Sequence, residues 1–398
     1  MPPAQPRLAK DGPGDPDFSL IAGGPLYQLF RRARLTTEGM DLAPRRVIAV
    51  ILITWAPLML LAALQGGLFS AGHGTPLIKD VGYHLRFLVV APLLIIAEGI
   101  VHRRLRPIVG QFTARGLVRA HEADRFAAIV HRAENLRNSV LAEILLLGVV
   151  YAVGVLFTLR RYLGMGAAGW FALPSGGLSP AGYWLLFVSL PLLQFLLLRW
   201  YFRLFIWARF LWSVSKLDLD LNATHPDKAA GLGFLGGSVT AFLLLAAAHG
   251  TLFAGMMADR ILFGGAKLPD FKIDVLEGAL IVLVVFVGPL MLWVPKLAPV
   301  KRSGLRDFGA LGQSYVREFR DKWFTDAPTG EPLLGSGDIQ SLADLGNSYS
   351  SAAQMRLAPI QLAGLVAFLA AFLAPMVPLL LTMMSLEAVI SRFVKIVF

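Results

Sequence analysis

The residues best placed for chemistry in this chain are a few ionisable side chains inside long apolar stretches. They are Glu98, Glu143, Arg199, Arg203 and His249. Ionisable groups are costly in a hydrocarbon environment, so they usually mark an ion path, a substrate path or a fixed structural pair. These five residues are therefore the candidate intramembrane polar site.

The two arginines lie one helical turn apart and share a helix face. We expect Arg203 to extend its guanidinium towards the nearer membrane surface. Arg199 lies deeper, and it either extends in the same way or pairs with Glu98 or Glu143. Such a pair would be a salt bridge that fixes the helix bundle or a gate for a proton or ion. His249 follows three alanines and precedes Gly250, which is compatible with a hydrogen-bonded packing histidine or with a proton carrier.

A second cluster stands at the start of the fifth apolar stretch and contains His225, Lys228, Gly231 and Gly233. The glycines match G-x-G-x-x-G, but no strand precedes them, so a dinucleotide site is not expected. Free backbone N–H groups at a helix start favour an anion. We predict a site for a small anion or a lipid phosphate there, with close packing of small residues as the alternative.

Other catalytic patterns are absent from the sequence. The chain has no cysteine, which excludes thiolate zinc ligands, disulfides and a thiol nucleophile. It contains no H-E-x-x-H, G-x-S-x-G or P-loop motif. His121 and His131 are ten residues apart, a weak pattern for a shared metal. We expect no metal and no cofactor, and an enzyme is the less favoured class.

The composition is that of a membrane protein. Of 398 residues, 56% are hydrophobic and 16% charged, whereas soluble domains average about 25% charged. A membrane-spanning helix needs about 20 mostly apolar residues. Seven stretches qualify: Val47–Leu68, Leu85–Val101, Ser139–Thr158, Tyr183–Ile206, Phe234–Met257, Leu276–Leu297 and Ile360–Met383. The predicted fold is all-α, a polytopic transmembrane helix bundle of about seven spans.

The basic residues predict the orientation. Segments outside the spans carry 25 Lys and Arg when odd-numbered from the N-terminus and 8 when even-numbered. Basic residues are retained in the cytoplasm, so we expect a cytoplasmic N-terminus. The net charge of +11 then follows from contact with anionic lipids, and no nucleic-acid partner is needed.

The remaining segments complete the predicted organisation. It comprises a disordered cytoplasmic tail (1–24), an interfacial amphipathic segment (25–46), a six-span bundle (47–299) with a cytoplasmic loop (102–137), a second cytoplasmic loop (300–358), and a last part (359–398). That last part is a full span or a re-entrant segment, followed by an amphipathic C-terminal helix.

Regularly spaced prolines suggest an internal repeat. Pro92, Pro191 and Pro289 each precede a leucine in an even-numbered span, at intervals of 99 and 98 residues. The spacing predicts three repeated helical hairpins plus a final helix. The alternative is coincidence, because proline is common in membrane helices.

Several sequence stretches resemble an uncharacterised group of bacterial multi-pass inner-membrane proteins. They are the stretch from Glu331 to Leu345, the pair Met355-Arg356, and the His225-Pro-Asp segment with its Gly-Leu-Gly-Phe continuation. The resemblance implies location in the bacterial inner (plasma) membrane. It carries no activity and no functional residues.

Three classes of function remain. A transporter or channel for a small solute or ion is favoured by the kinked helices and intramembrane charges. A non-catalytic scaffold, sensor or assembly subunit is favoured by the large loops, and it would bind a second copy or another membrane protein. A membrane enzyme acting on a lipid-linked substrate is the third. A watery cavity beside Glu98, Glu143 or His249 would favour transport, and a dry interior would favour the partner role.

Overall fold

A computed structural model describes residues 18–33, 42–70, 75–164, 169–173, 177–324, 330–332 and 334–383. These residues form helices and turns, with two isolated β-bridges and no strand within the described ranges. The all-α prediction is confirmed.

Seven helical segments are long and apolar enough to cross a membrane, and each contains most of a predicted span. They are Ala43–Leu64, Val81–Ala114, Val140–Arg160, Pro180–Ser215, Gly233–Gly264, Leu268–Trp323 and Leu362–Thr382. We call them spans one to seven. The protein is an integral membrane protein.

The connections meet at two opposite ends of the bundle. At one end, Arg137 contacts Ser19, and Lys296 Nζ lies 2.7 Å from the Leu217 carbonyl oxygen. At the other end, Trp170 Nε1 lies 3.0 Å from Asp80 Oδ2, and Gly82 N donates to Asp259. Connections of odd and even number therefore lie at different ends, as expected for a chain that crosses repeatedly. We call the first the arginine-rich end.

The residues before span one depart from the prediction of a disordered tail. Residues 18–24 are packed at the arginine-rich end, where Phe18, Leu20 and Ile21 are buried. The Phe18 ring stacks on Phe210 of span four, with 5.2 Å between centroids. The prediction is wrong for these residues because their apolar side chains bury against the bundle. A short helix, Pro25–Arg32, follows, and we call residues 18–33 the amino-terminal segment.

The two predicted loops are largely helical. Span two continues to Ala114, and a connecting helix, Ala123–Arg137, then returns to span three. Span six continues to Trp323, and a second helix, Gly337–Ala353, packs antiparallel against its extension. We call this pair the helical hairpin. Charged residues ended the apolar stretches in the sequence, but helices continue beyond the membrane where they have partners to pack against.

Spans two and four share a local distortion. Each begins with a turn capped by a side chain, that of Asp80 in span two and that of Ser179 in span four. Each then has a π-helical turn, Arg86–Val90 or Leu185–Ser189, which ends two residues before Pro92 or Pro191. These features recur at 99 residues, the interval between the prolines. Span six has a 3₁₀ segment at its proline instead. The similarity supports the first two hairpins, and the threefold repeat stays a prediction.

Span seven is one continuous helical segment. Its α-helix, Leu362–Leu373, passes into a 3₁₀ stretch, Ala374–Thr382, that contains Pro375 and Pro378. Met376 and Leu380 lie beside Leu268 at the end opposite the arginines. The segment therefore crosses the bundle and does not turn back. The predicted amphipathic C-terminal helix lies outside the described residues.

Candidate functional site

Glu98 of span two is the centre of a buried ionic cluster. Its Oε1 lies 2.8 Å from Arg203 Nη1 and 3.3 Å from Arg199 Nη1. Its Oε2 pairs with Arg46 Nη1 of span one. Glu98 is only 4% exposed, so one carboxylate faces three guanidinium groups away from water.

Glu143 of span three extends this cluster. Its Oε1 lies 3.7 Å from Arg199 Nε, and its Oε2 accepts a hydrogen bond of 2.9 Å from the Leu26 backbone N–H. The ionic contacts therefore join spans one to four, and the hydrogen bond from Leu26 connects them to the amino-terminal segment. We call Arg46, Glu98, Glu143, Arg199 and Arg203 the charge network. With all five groups ionised, it carries one surplus positive charge.

The structure decides the alternatives left open for the two arginines. Pairing of Arg199 with Glu98 is confirmed. The expectation that Arg203 reaches the membrane surface is wrong, because Arg203 is buried and bonded to Glu98. Its guanidinium also lies 4.9 Å from the centroid of the Trp200 ring, a favourable cation–π geometry. Inside the bundle, the Glu98 carboxylate and the face of the Trp200 ring take the place of water around the Arg203 guanidinium.

Sequence reasoning missed Arg46. It follows Arg45 at the start of span one, where basic residues normally flank a span. Only the pairing shows the difference, since Arg46 is buried and Arg45 is exposed. One signal in the sequence could have indicated its burial. Arg46 lies eight residues before Thr54, which places the two residues on the same buried face of the helix.

Two apolar cavities adjoin the charge network. One, of about 200 Å³, lies between spans one, two and four and reaches Arg46 and Glu98. The other, of about 490 Å³, lies between spans three and four and reaches Glu143. Leu26, Leu192 and Phe195 line both. Apart from the charged groups at their ends, both are lined almost wholly by apolar side chains.

His249 has hydrogen-bond partners on both ring nitrogens. Nε2 lies 2.7 Å from the Tyr201 hydroxyl, and Nδ1 lies 2.6 Å from the Leu245 carbonyl oxygen. Span five packs closely here, because Gly250 lies against the Phe372 carbonyl. These contacts support a packing histidine. No contact joins it to the charge network among the described residues.

The predicted anion site is occupied by the chain itself. The Asp227 carboxylate accepts from the backbone N–H groups of Ala229, Gly231 and Gly233 at 2.8, 3.1 and 2.8 Å. The expectation that these N–H groups are free was wrong. Asp227 lies between His225 and Lys228 in the sequence, but the spacing did not show that its side chain folds back over its own loop.

The two basic members of that cluster also have partners within the chain. His225 Nδ1 lies 2.9 Å from Asp227 Oδ1. Lys228 Nζ donates to Gln354 Oε1 at 2.6 Å, and the Arg356 backbone N–H donates to the Lys228 carbonyl at 2.7 Å. The cluster therefore fastens the loop before span five to the segment before span seven.

Replacing Asp227 with asparagine is expected to lower stability by about 1–3 kcal/mol at neutral pH. The amide keeps one acceptor but turns an N–H towards one of the backbone donors. Burial would raise the pKa of Asp227, but the hydrogen bonds from Gly233, Ala229 and Gly231, with His225 nearby, hold that pKa below its ordinary value.

The pH dependence of this effect follows from that lowered pKa. A carboxyl whose folded pKa is depressed stabilises the fold above its unfolded pKa, about 3.9, and this contribution is lost as pH falls through the folded pKa. Heat denaturation in detergent should therefore show wild type and Asp227→Asn converging as pH falls below about 4. A difference that is constant with pH would contradict the role of the charge.

Within the described part of the chain, no group of three or more His, Asp or Glu side chains is arranged to hold a metal ion. Comparisons with family models, curated proteins and solved structures give no match. The resemblance to bacterial inner-membrane proteins stays a prediction, and the functional argument depends on the geometry above.

Proposed function

We propose that the protein is a transporter or channel for a small solute or ion, and that the charge network is its closed gate. The observation that carries this proposal is a buried network of charged groups from four spans. Glu98 of span two contacts arginines of spans one and four, and Glu143 of span three joins the network through Arg199. One salt bridge would fix two helices. This network links the relative positions of four, so a change in any one contact affects the others.

The amino-terminal segment closes this gate at the arginine-rich end. Gly23, Arg199 and Ile206 line a void of about 10 Å³ beneath it, room for one water at most. The helix Pro25–Arg32 is held to the network by the hydrogen bond from Leu26 to Glu143. Water and ions would reach Glu98 from this end when the segment moves away.

The absence of cysteine allows a direct test of the gate. A single cysteine at Ile206, which is 1% exposed, should react slowly with a membrane-impermeant maleimide. Glu143→Gln and Glu98→Gln should each raise that rate about tenfold or more, because a hydrogen bond to a charged group contributes about 1.5–3 kcal/mol. A cysteine at Lys216, at the exposed end of span four, is the control and should react equally in every background.

Flux measurements in proteoliposomes complete the test. The same two variants should increase the leak of protons, potassium or chloride reported by trapped dyes. Glu143→Gln keeps the three contacts to Glu98, so it remains informative if Glu98→Gln fails to fold. Lower stability without faster labelling and without greater leak would overturn the gate. Labelling of the Lys216 cysteine from the cytoplasmic side of cells would test the predicted orientation.

A second candidate function is that of a membrane scaffold or assembly subunit, and one surface favours it. At the tip of the helical hairpin, Phe324 is 76% exposed and Leu334 is 87% exposed. Large apolar side chains exposed together mark contact surfaces. Lower stability of the Glu98→Gln and Glu143→Gln variants, without faster labelling and without greater leak, would favour this alternative.

A further inference from the structure

Arg46 has an unused hydrogen-bonding edge inside the protein. Its Nη1 pairs with Glu98, but Nε and Nη2 are buried and have no hydrogen-bond partner within the described part of the chain. The side chain is 2% exposed. Leaving buried donors of a charged group without partners costs free energy. A hydrogen-bond acceptor at this edge of Arg46 would remove that cost.

The geometry of that edge identifies the kind of acceptor. Nε and Nη2 lie side by side on one edge of the planar guanidinium, the arrangement that binds a phosphate or carboxylate through two parallel hydrogen bonds. The charge network carries one surplus positive charge when its five groups are ionised. An acceptor with one negative charge would therefore satisfy both donors and balance the network.

The surroundings of Arg46 add a second requirement, an apolar body. Arg46 lines the cavity of about 200 Å³ that continues along span one past Ala49 and Val50 to Ile53. From Arg46 to Ile53 this is about 10 Å along a helix, directed from the arginine-rich end towards the membrane centre. The larger cavity, beyond Leu192 and Phe195, extends in the same direction to Tyr151.

We propose that this site binds an anionic phospholipid, with its phosphate on the Nε–Nη2 edge of Arg46 and one acyl chain in each cavity. Arg46 lies in the first turn of span one, and lipid headgroups are expected near the ends of a membrane-spanning helix. The site is distinct from the cluster at His225 and Lys228, where Asp227 occupies the backbone donors. It does not depend on the transport proposal.

The test compares lipids on the purified full-length chain in detergent. Dioleoyl phosphatidylglycerol should be retained in native mass spectrometry and should raise the temperature of heat denaturation more than dioleoyl phosphatidylcholine. Palmitate and inorganic phosphate test the two halves of the ligand separately. Each should stabilise the protein less than the anionic lipid does.

Three variants locate the site. Arg46→Gln should weaken retention of phosphatidylglycerol about tenfold or more, the scale expected for losing hydrogen bonds to a charged group. Arg45→Gln makes the same charge change on the exposed neighbouring residue and should have little effect. Ala49→Phe fills the smaller cavity without changing any charge, and it should also weaken retention.

Several results would overturn the site. Equal retention of the anionic and zwitterionic lipids would do so, as would equal losses in Arg45→Gln and Arg46→Gln, because both indicate unspecific lipid contact. Stabilisation by palmitate or inorganic phosphate as strong as that by phosphatidylglycerol would also overturn it. If Arg46→Gln fails to fold, unchanged retention in Ala49→Phe is decisive against the proposal.

Discussion

Glu98→Gln should be the most damaging conservative substitution in the protein, with a loss of about 3–5 kcal/mol in the free energy of unfolding. Glutamine keeps the size of the side chain but removes the only carboxylate that contacts Arg46 and Arg203 among the described residues. Three guanidinium groups would then remain buried, and Glu143 would be the one anion left in the charge network as described. Heat denaturation of the purified protein in one detergent measures the loss.

Glu143→Gln is the matched control for that substitution. Glu143 is farther from its arginine, at 3.7 Å, and its side chain is 13% exposed, so its neutralisation should cost much less. Adding Arg203→Gln to Glu98→Gln should recover part of the lost stability, because it removes one of the uncompensated charges. Equal losses in the two single variants, or no recovery in the double variant, would show that the network is not centred on Glu98.

Gly250→Leu should disrupt the contact between spans five and seven. A Cβ atom at position 250 would collide with the Phe372 carbonyl oxygen, and a backbone atom cannot move aside as a flexible side chain can. Overpacking usually costs about 1–3 kcal/mol of stability and occasionally more. Because this collision is with the backbone, we expect a loss of about 3 kcal/mol or more. The fraction of monodisperse protein after extraction and its heat denaturation should both fall sharply.

Gly264→Ala provides the control on the same helix. The nearest atom to a Cβ there is Arg260 Cβ at 3.9 Å, an ordinary contact. Alanine is also the better helix former, so this variant should match or slightly exceed the wild type. Comparable losses at Gly250 and Gly264 would show that helix propensity, and not the close approach of span seven, governs the effect.

The burial of single residues shows where sequence reasoning ended. The apolar pattern treats Arg45 and Arg46 as one flanking pair, yet only Arg46 is buried. It marks Glu98 and Arg199 as costly inside a membrane, but the partner of each depends on how the helices rotate about their axes. The rotation of each helix is set by packing among several spans, and the sequence of one apolar stretch does not determine that packing.

Contacts of the amino-terminal segment and of the Asp227 loop could likewise not be predicted from the sequence. The proline and glycine content of residues 1–24, with no early apolar core, predicted disorder. Phe18 and Ile21 are nevertheless buried once span four is in position. Glycine spacing predicted free backbone donors, but the loop brings its own carboxylate to them. Both outcomes depend on contacts between groups whose approach the sequence does not specify.

The amino-acid pattern was enough to predict an all-α membrane protein of about seven spans, with connections at alternate ends of the bundle. This was possible because the thickness of a bilayer sets the length and continuity of the apolar stretches. The folded arrangement was needed to show which charged groups meet, that Arg46 is one of them, and that the Asp227 carboxylate binds the backbone of its own loop. Hydrophobic transfer depends on local composition, whereas ion pairs and hydrogen bonds require atoms within about 3 Å, which the packing of distant segments alone provides.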